Sequence, residues 1–140
     1  MTWTSDVTRW DASAGQRVLV VDDDDAMARM IRLTLLSEGY VVSTASDGIE
    51  GLKRLEEGGF ALVVLDLQMP HMDGREMFAE MKRRGYDVPV VIVSAYGAEQ
   101  ARQELQAAAA VRKPFDTAVL LELIQGLLAG DSQSGRARSR

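Results

Sequence analysis

The sequence predicts an α/β domain in which a doubly wound parallel sheet of five strands carries helices on both faces. Short apolar runs rich in valine alternate with segments of helical periodicity along most of the 140 residues. Strands buried on both faces of a parallel sheet read as such runs, and strict alternation with helices is typical of that architecture. Polar residues close four of the runs, and ligands of such sheets bind at the carboxyl ends of the strands.

Composition fits one globular domain, with 46% hydrophobic and 26% charged residues. The net charge of −5 argues against non-specific nucleic-acid binding, which needs a positive surface. The absence of cysteine excludes disulfides and thiolate metal sites and fits a reducing cytosol. We find neither a signal peptide nor an apolar run near the roughly 20 residues of a membrane span, so we expect a cytoplasmic protein that does not enter the membrane.

The strands are predicted at 17–21, 40–45, 60–65 and 88–93, and a fifth ends before Lys113. This last strand has little β-branched content. Between Ala98 and Arg112 the apolar spacing is helical, which predicts a fourth helix, and no turn signal marks its boundary with the fifth strand.

Helical spacing of apolar residues predicts the intervening helices. Acidic residues are expected as N-caps at Asp24 or Asp25, Asp47 and Asp116, and Gly39 is expected to cap the C-terminus of the first helix. The residues expected to face inward are Met27, Met30, Ile31, Thr34 and Leu35, then Ile49, Leu52 and Leu55, then Met77, Phe78 and Met81, and finally Leu120, Leu123, Ile124, Leu127 and Leu128.

Both ends of the chain are expected to lie outside the domain, which we place at residues 17–129. Residues 1–16 are polar and aperiodic and predict a flexible leader, in which Trp3 and Trp10 are possible anchors. Residues 130–140 are rich in glycine and serine and predict a disordered tail or a truncated linker.

The chemistry begins with three acids at the ends of two apolar runs. Asp22 and Asp23 follow the first run, and Asp66 follows Leu62-Val63-Val64-Leu65. Carboxylates brought this close repel one another unless a cation joins them, and Mg²⁺ favours a few carboxylates with water. We therefore predict a magnesium site.

Two further strand ends supply a hydroxyl and an ammonium group, Ser94 and Lys113. A lysine ammonium is suited to a phosphoryl oxygen, and a serine hydroxyl can donate to another. A carboxylate nucleophile would complete a small phosphoryl-transfer site, and Asp66 can take that part by forming an acyl phosphate.

These residues resemble the response-regulator receiver domain, the CheY-like phosphoacceptor module of two-component systems. The resemblance covers about residues 16–129 and is carried by Val18-Leu19-Val20-Val21-Asp22-Asp23, by Asp66 with Met69-Pro70-His71-Met72-Asp73-Gly74, by Ser94-Ala95 and by Lys113-Pro114-Phe115. It implies the flavodoxin-like strand order 2-1-3-4-5. It also implies a signalling protein whose only catalysis is self-phosphorylation and autodephosphorylation.

The resemblance assigns roles residue by residue. Asp66 would accept a phosphoryl group from a phosphohistidine of a sensor kinase or phosphotransfer protein. Asp23, Asp66 and the backbone carbonyl of Gln68 would bind Mg²⁺ with the help of Asp22. Lys113, aimed by a cis bond to Pro114, would contact the phosphoryl group, and Ser94 would move towards it. The implied partner downstream is a protein, bound by a monomer or weak homodimer, with no role for nucleic acid or membrane in this domain.

Two departures from the family pattern concern the readout. Ala110 stands three residues before Lys113, where the family usually has a switch aromatic. The chain from Ser94 to Lys113 is also about three residues shorter than usual, close to one helical turn, which implies a shortened fourth helix region. Tyr96 is the nearest aromatic substitute in sequence, although it could equally shield the site or face solvent.

Two other functions fit parts of the sequence. A haloacid-dehalogenase-like phosphatase would use Asp22-Asp23-Asp24 with Ser94 and Lys113, but it leaves Asp66 without a role. A pseudo-receiver that acts as a constitutive interaction module is favoured by Ala110. His71, the single histidine, is expected to be a solvated loop residue.

Overall fold

A computed structural model describes the backbone of residues 15–137 and the side chains of residues 15–129. Within that part the chain alternates five strands and five helices. The strands are β1 (Arg17–Val21), β2 (Val41–Ala45), β3 (Phe60–Asp66), β4 (Val90–Ser94) and β5 (Ala109–Arg112). The helices are α1 (Asp25–Leu36), α2 (Gly48–Leu55), α3 (Gly74–Arg83), α4 (Ala98–Leu105) and α5 (Thr117–Ala137).

The strands form one parallel sheet in the order β2-β1-β3-β4-β5, which confirms the predicted fold class. Helices cover both faces of this sheet. α1 and α5 pack on one face through residues such as Ile31 and Ile124. α2, α3 and α4 pack on the other through residues such as Leu52 and Met77. The central strands are thereby buried on both faces, which is why they read as continuous apolar runs.

Aspartate side chains cap the N-termini of helices α1, α2 and α5. The side chains of Asp24 and Asp47 accept the amide hydrogens of Met27 and Glu50, so both N-cap predictions are confirmed. Asp116 accepts from the amide of Ala118 at 2.9 Å at the start of α5. These bonds satisfy amides that no helical carbonyl can reach.

Three predictions on α1 and α2 are wrong. The C-cap of α1 is Ser37, and Gly39 instead takes a positive φ of 93° in the turn that follows. Met30 and Ile49 face outward, because the buried face of each helix is narrower than the apolar residues suggest.

Parts of both chain ends, residues 1–14 and 138–140, lie outside the described residues. Residues 1–14, most of the predicted leader, are not described, whereas the amide of Gly15 donates to the carbonyl of Gly39 at 3.2 Å. Helix α5 extends past residue 129 to Ala137, into the stretch expected to be a tail. Within residues 15–137, we find no helix long and apolar enough to cross a membrane.

Candidate functional site

The sheet brings the predicted site residues together where the strand order reverses. β1 lies between β2 and β3, so its carboxyl end opens the crevice in which ligands of doubly wound sheets bind. Asp22 directly follows β1 and donates its amide to the carbonyl of Ala45 at 3.0 Å, and Asp66 is the last residue of β3. Both carboxylates are therefore held by the backbone of the sheet itself.

Three carboxylates meet at this edge. Oxygen atoms of Asp22, Asp23 and Asp66 lie within 4.8 Å of one another. Asp22 and Asp66 are buried, while Asp23 is exposed to solvent. The amide of Asp24 donates to Asp22 Oδ1 at 2.9 Å, and the amide of Gln68 donates to Asp66 Oδ1 at 3.2 Å. Mg²⁺ prefers oxygen ligands and keeps several water molecules. Two buried carboxylates and one exposed to solvent therefore suit it.

Lys113 reaches the same carboxylates from the end of β5. Its Nζ atom lies 3.4 Å from Asp22 Oδ2 and 3.4 Å from Asp66 Oδ2. The amide of Lys113 donates to the carbonyl of Ser94 at 2.9 Å, so the sheet pairing continues to the residue that carries the ammonium group. The bond between Lys113 and Pro114 is cis.

The charges in this cluster do not balance. Burial raises the pKa of Asp66 to about 7, the nearby Asp22 carboxylate adds to the rise, and Lys113 only partly opposes it. Burial lowers the pKa of Lys113, but the two carboxylates outweigh this effect and hold the pKa above its usual value. One ammonium group therefore does not compensate the carboxylates, and the site favours a further cation.

Ser94 is fully buried beside the carboxylates. Its hydroxyl lies 3.1 Å from Gln68 Oε1 and 2.8 Å from the carbonyl oxygen of Tyr96, so its single proton can be donated to either acceptor. The contact of Ser94 with the Gln68 side chain is one that the sequence did not reveal.

Close packing of Gly74 against the backbone fixes the loop between β3 and α3. A Cβ atom on Gly74 would lie 2.8 Å from Leu67 Cα and closer still to the carbonyl oxygen of Asp66, so only glycine fits there. Asp73 and Glu76 form a capping box that starts α3 beside this contact.

His71 is a loop residue, as expected, and it also forms a hydrogen bond with Asp47. Although it is exposed, its Nδ1 atom lies 3.0 Å from Asp47 Oδ2, and Asp47 also caps α2. This cap and the hydrogen bond from His71 lower the pKa of Asp47. The loop that follows Asp66 is thus tied to the N-terminus of α2.

The readout side of the site is open. The Tyr96 side chain is 82% exposed, so it does not fill the position that an aromatic at residue 110 would take. Instead a groove of about 390 Å³ is lined by small residues such as Ala98 and Ala110, by Tyr96, and by polar residues such as Glu99 and Arg112.

Comparison with known proteins decides the family. Residues 18–125 match the model of the response regulator receiver domain. The chain belongs to the response regulator receiver domain family. Receiver domains are signalling proteins of two-component systems and not classical enzymes, and this assignment favours the receiver over the haloacid-dehalogenase-like phosphatase.

Relatives of this receiver include much longer proteins. It is 44% identical over 80 residues to the transcriptional regulatory protein GlrR of Escherichia coli, which covers 57% of the chain and 18% of that protein. It is 36% identical over 114 residues to the response regulator RR06 of Streptococcus pneumoniae, which covers 79% of the chain and 52% of that protein. The receiver thus spans about a fifth to a half of the length of these curated relatives.

Solved structures agree with the fold. A receiver domain protein from Methanospirillum hungatei superposes with a TM-score of 0.79 at 28% identity, covering 86% of this chain and 99% of that one. The response regulator TrrA from Thermotoga maritima, solved in complex with Mg²⁺-BeF, gives a TM-score of 0.72 at 32% identity over 80% of this chain and 98% of its own.

Proposed function

We propose that this receiver accepts a phosphoryl group on Asp66 in a reaction that requires Mg²⁺. The observation that carries the proposal is the buried Asp66 carboxylate, whose Oδ2 atom lies 3.4 Å from Lys113 Nζ within a cluster of three acids. A nucleophile, a fixed cation and a donor set for a second cation are what phosphoryl transfer needs.

In the proposed step an oxygen of Asp66 attacks the phosphorus of a phosphohistidine. A bond forms between this oxygen and phosphorus, while the bond from phosphorus to the imidazole nitrogen breaks and its electron pair returns to the ring. The product is an acyl phosphate on Asp66 and a neutral histidine on the donor once its nitrogen is protonated by water. Lys113 stabilises the negative charge on the phosphoryl oxygens, and its contact with Asp22 holds it in place.

We assign Mg²⁺ to Asp22, Asp23, Asp66 and the backbone carbonyl of Gln68. When bound, the ion neutralises the acids and draws charge from the phosphoryl oxygens. The raised pKa of Asp66 supports this assignment, because it shows that Lys113 alone leaves the carboxylate destabilised. The Mg²⁺-BeF complex of TrrA supports it by similarity.

The signal would leave the site through Ser94. Its hydroxyl is held by Gln68 and by the carbonyl of Tyr96. A donation from Ser94 to a phosphoryl oxygen would withdraw its proton from both acceptors, and the loop of residues 95–97 would lose this tie in front of α4. This route does not need an aromatic at Ala110.

Phosphorylation by acetyl phosphate tests the proposal. With Mg²⁺ we expect a hydroxylamine-labile phosphoryl adduct on the wild-type protein and none after Asp66→Asn, whereas Asp22→Asn retains uptake with a higher Mg²⁺ requirement. Asp87→Asn, at an exposed acid outside the site, is the matched control. Steady hydrolysis of phosphomonoesters that survives Asp66→Asn would instead support a phosphatase.

The consequence of phosphorylation needs a second measurement. If the adduct forms but hydrogen exchange in residues 95–105 stays unchanged, the protein is a constitutive interaction module. In the proposed pathway the phosphoryl donor is a sensor histidine kinase or a phosphotransfer protein, and the target is another protein. The protein would act in the cytoplasm as a monomer or weak homodimer, without nucleic-acid or membrane binding by this domain.

A further inference from the structure

Three exposed apolar residues share the outer face of α1. Met30, Leu33 and Leu36 follow one another at three-residue spacing on this helix. Met30 is 54% exposed and Leu33 is 55% exposed. We call these three residues the α1 stripe. The other large apolar side chains with similar exposure in the described residues stand singly on other elements: Val41, Ile49, Tyr96 and Val119.

Two cations accompany the stripe. Arg29 and Arg32 are exposed on α1, and neither forms an ion pair with another residue in the described range 15–137. Contiguous apolar patches of this kind on a monomer often mark an interaction site. Its occupant should therefore combine large apolar side chains with carboxylates.

The chain leaves the described domain beside this stripe. The amide of Gly15 donates to the carbonyl of Gly39 at 3.2 Å, and the amide of Val41 donates to the carbonyl of Gln16 at 2.9 Å. Residues 1–14 therefore start from the junction of α1 and β2. Since an extended residue spans about 3.3 Å, Trp10 lies within about 17 Å of Gly15. The stripe measures only about 9 Å from Leu36 to Met30 along the helix axis, which is well within this reach.

The composition of residues 1–14 matches the stripe. They contain both tryptophans of the chain, Trp3 and Trp10, and two aspartates, Asp6 and Asp11, against one cationic side chain, Arg9. A large aromatic side chain buries about 150–250 Å², so two of them suffice for a patch of a few hundred Å². The aspartates offer carboxylates to Arg29 and Arg32.

We propose that residues 1–14 dock on the α1 stripe through Trp10 and Trp3. The segment then covers an apolar surface of its own domain, on the opposite face of the sheet from α2, α3 and α4. The arrangement does not depend on phosphorylation of Asp66.

Intrinsic fluorescence tests this proposal directly, because only residues 1–14 contain tryptophan. In the folded full chain we expect emission shifted to the blue of the urea-unfolded chain and protection from acrylamide quenching. Leu33→Gln should shift the emission to the red and remove the protection. Ile49→Gln, at an equally exposed apolar residue on the other face of the sheet, should change neither.

Controls separate the alternatives. Circular dichroism checks that each variant is folded, as expected for changes at exposed positions. Emission of the folded wild type that matches the unfolded chain would overturn the proposal, as would a blue shift that Leu33→Gln leaves unchanged. A blue shift that disappears on dilution, together with a dimer in sedimentation, would assign the stripe to a second copy of the chain and also overturn it.

Discussion

Removing the charge of Asp66 should stabilise the metal-free protein. Asp66 is buried, and its pKa is raised from 3.8 to about 7, first by burial and then by the charge of Asp22. The folded state therefore binds the Asp66 proton more tightly than the unfolded state does. Asp66→Asn replaces the carboxylate with a neutral group of similar size and should relieve this strain.

The sign and size follow from linkage. Below about pH 4 the carboxyl group is protonated in both states, so the two proteins should differ little. As the pH rises through the range up to about 7, the folded wild type loses stability relative to the variant, and the difference levels off above that range. Each pKa unit corresponds to 1.36 kcal/mol, so the shift from 3.8 to about 7 sets a ceiling of about 4 kcal/mol.

Urea unfolding at several pH values, in the presence of a chelator, measures this difference. We expect Asp66→Asn to raise the free energy of unfolding by about 1 to 4 kcal/mol at pH 8 and by much less at pH 4. Asp87→Asn, at an exposed acid, is the control and should show no such pH dependence. A variant that is less stable than the wild type at pH 8, or a gain that is equal at both pH values, would refute the reasoning.

Other variants probe the remaining parts of the site. Lys113→Met should abolish phosphoryl uptake from acetyl phosphate and raise the pKa of Asp66 further, which the pH dependence of urea unfolding would show. Gly74→Ala should destabilise the fold by about 1–3 kcal/mol or more, because its Cβ meets the backbone of β3. Gly126→Ala, in open space on α5, should instead be neutral or stabilising by up to about 1 kcal/mol, and urea unfolding measures both glycine variants. Asp73→Ala should cost about 1 kcal/mol by removing the capping box of α3, and the loss should be equal with and without Mg²⁺.

The sheet and the acidic site were predictable because their signals are local. The valine-rich runs define buried parallel strands, and a polar residue directly after such a run must lie at the shared carboxyl edge. Asp22, Asp66 and Lys113 meet there for that reason, at the distances that the structure shows. The N-caps Asp24 and Asp47 were equally predictable from acidic residues before apolar periodicity.

Contacts between distant loops were not predictable. The hydrogen bond of His71 with Asp47 joins residues that are 24 positions apart, and the contact of Ser94 with Gln68 joins residues that are 26 apart. No sequence periodicity records such pairs. The predicted burial of Met30 was wrong for another reason. Its spacing from Met27 fits an apolar helix face, but the buried face of α1 is too narrow to include it.

The central claim is that the acyl phosphate forms on Asp66. Peptide mass spectrometry after treatment with acetyl phosphate and Mg²⁺, with borohydride reduction to mark the modified aspartate, tests it most directly. We predict the mark on Asp66 in the wild-type protein, its loss when Mg²⁺ is chelated, and no mark on Asp22 or Asp23. A mark on either of those residues, or an unmodified Asp66 in a protein that has taken up phosphate, would contradict the account.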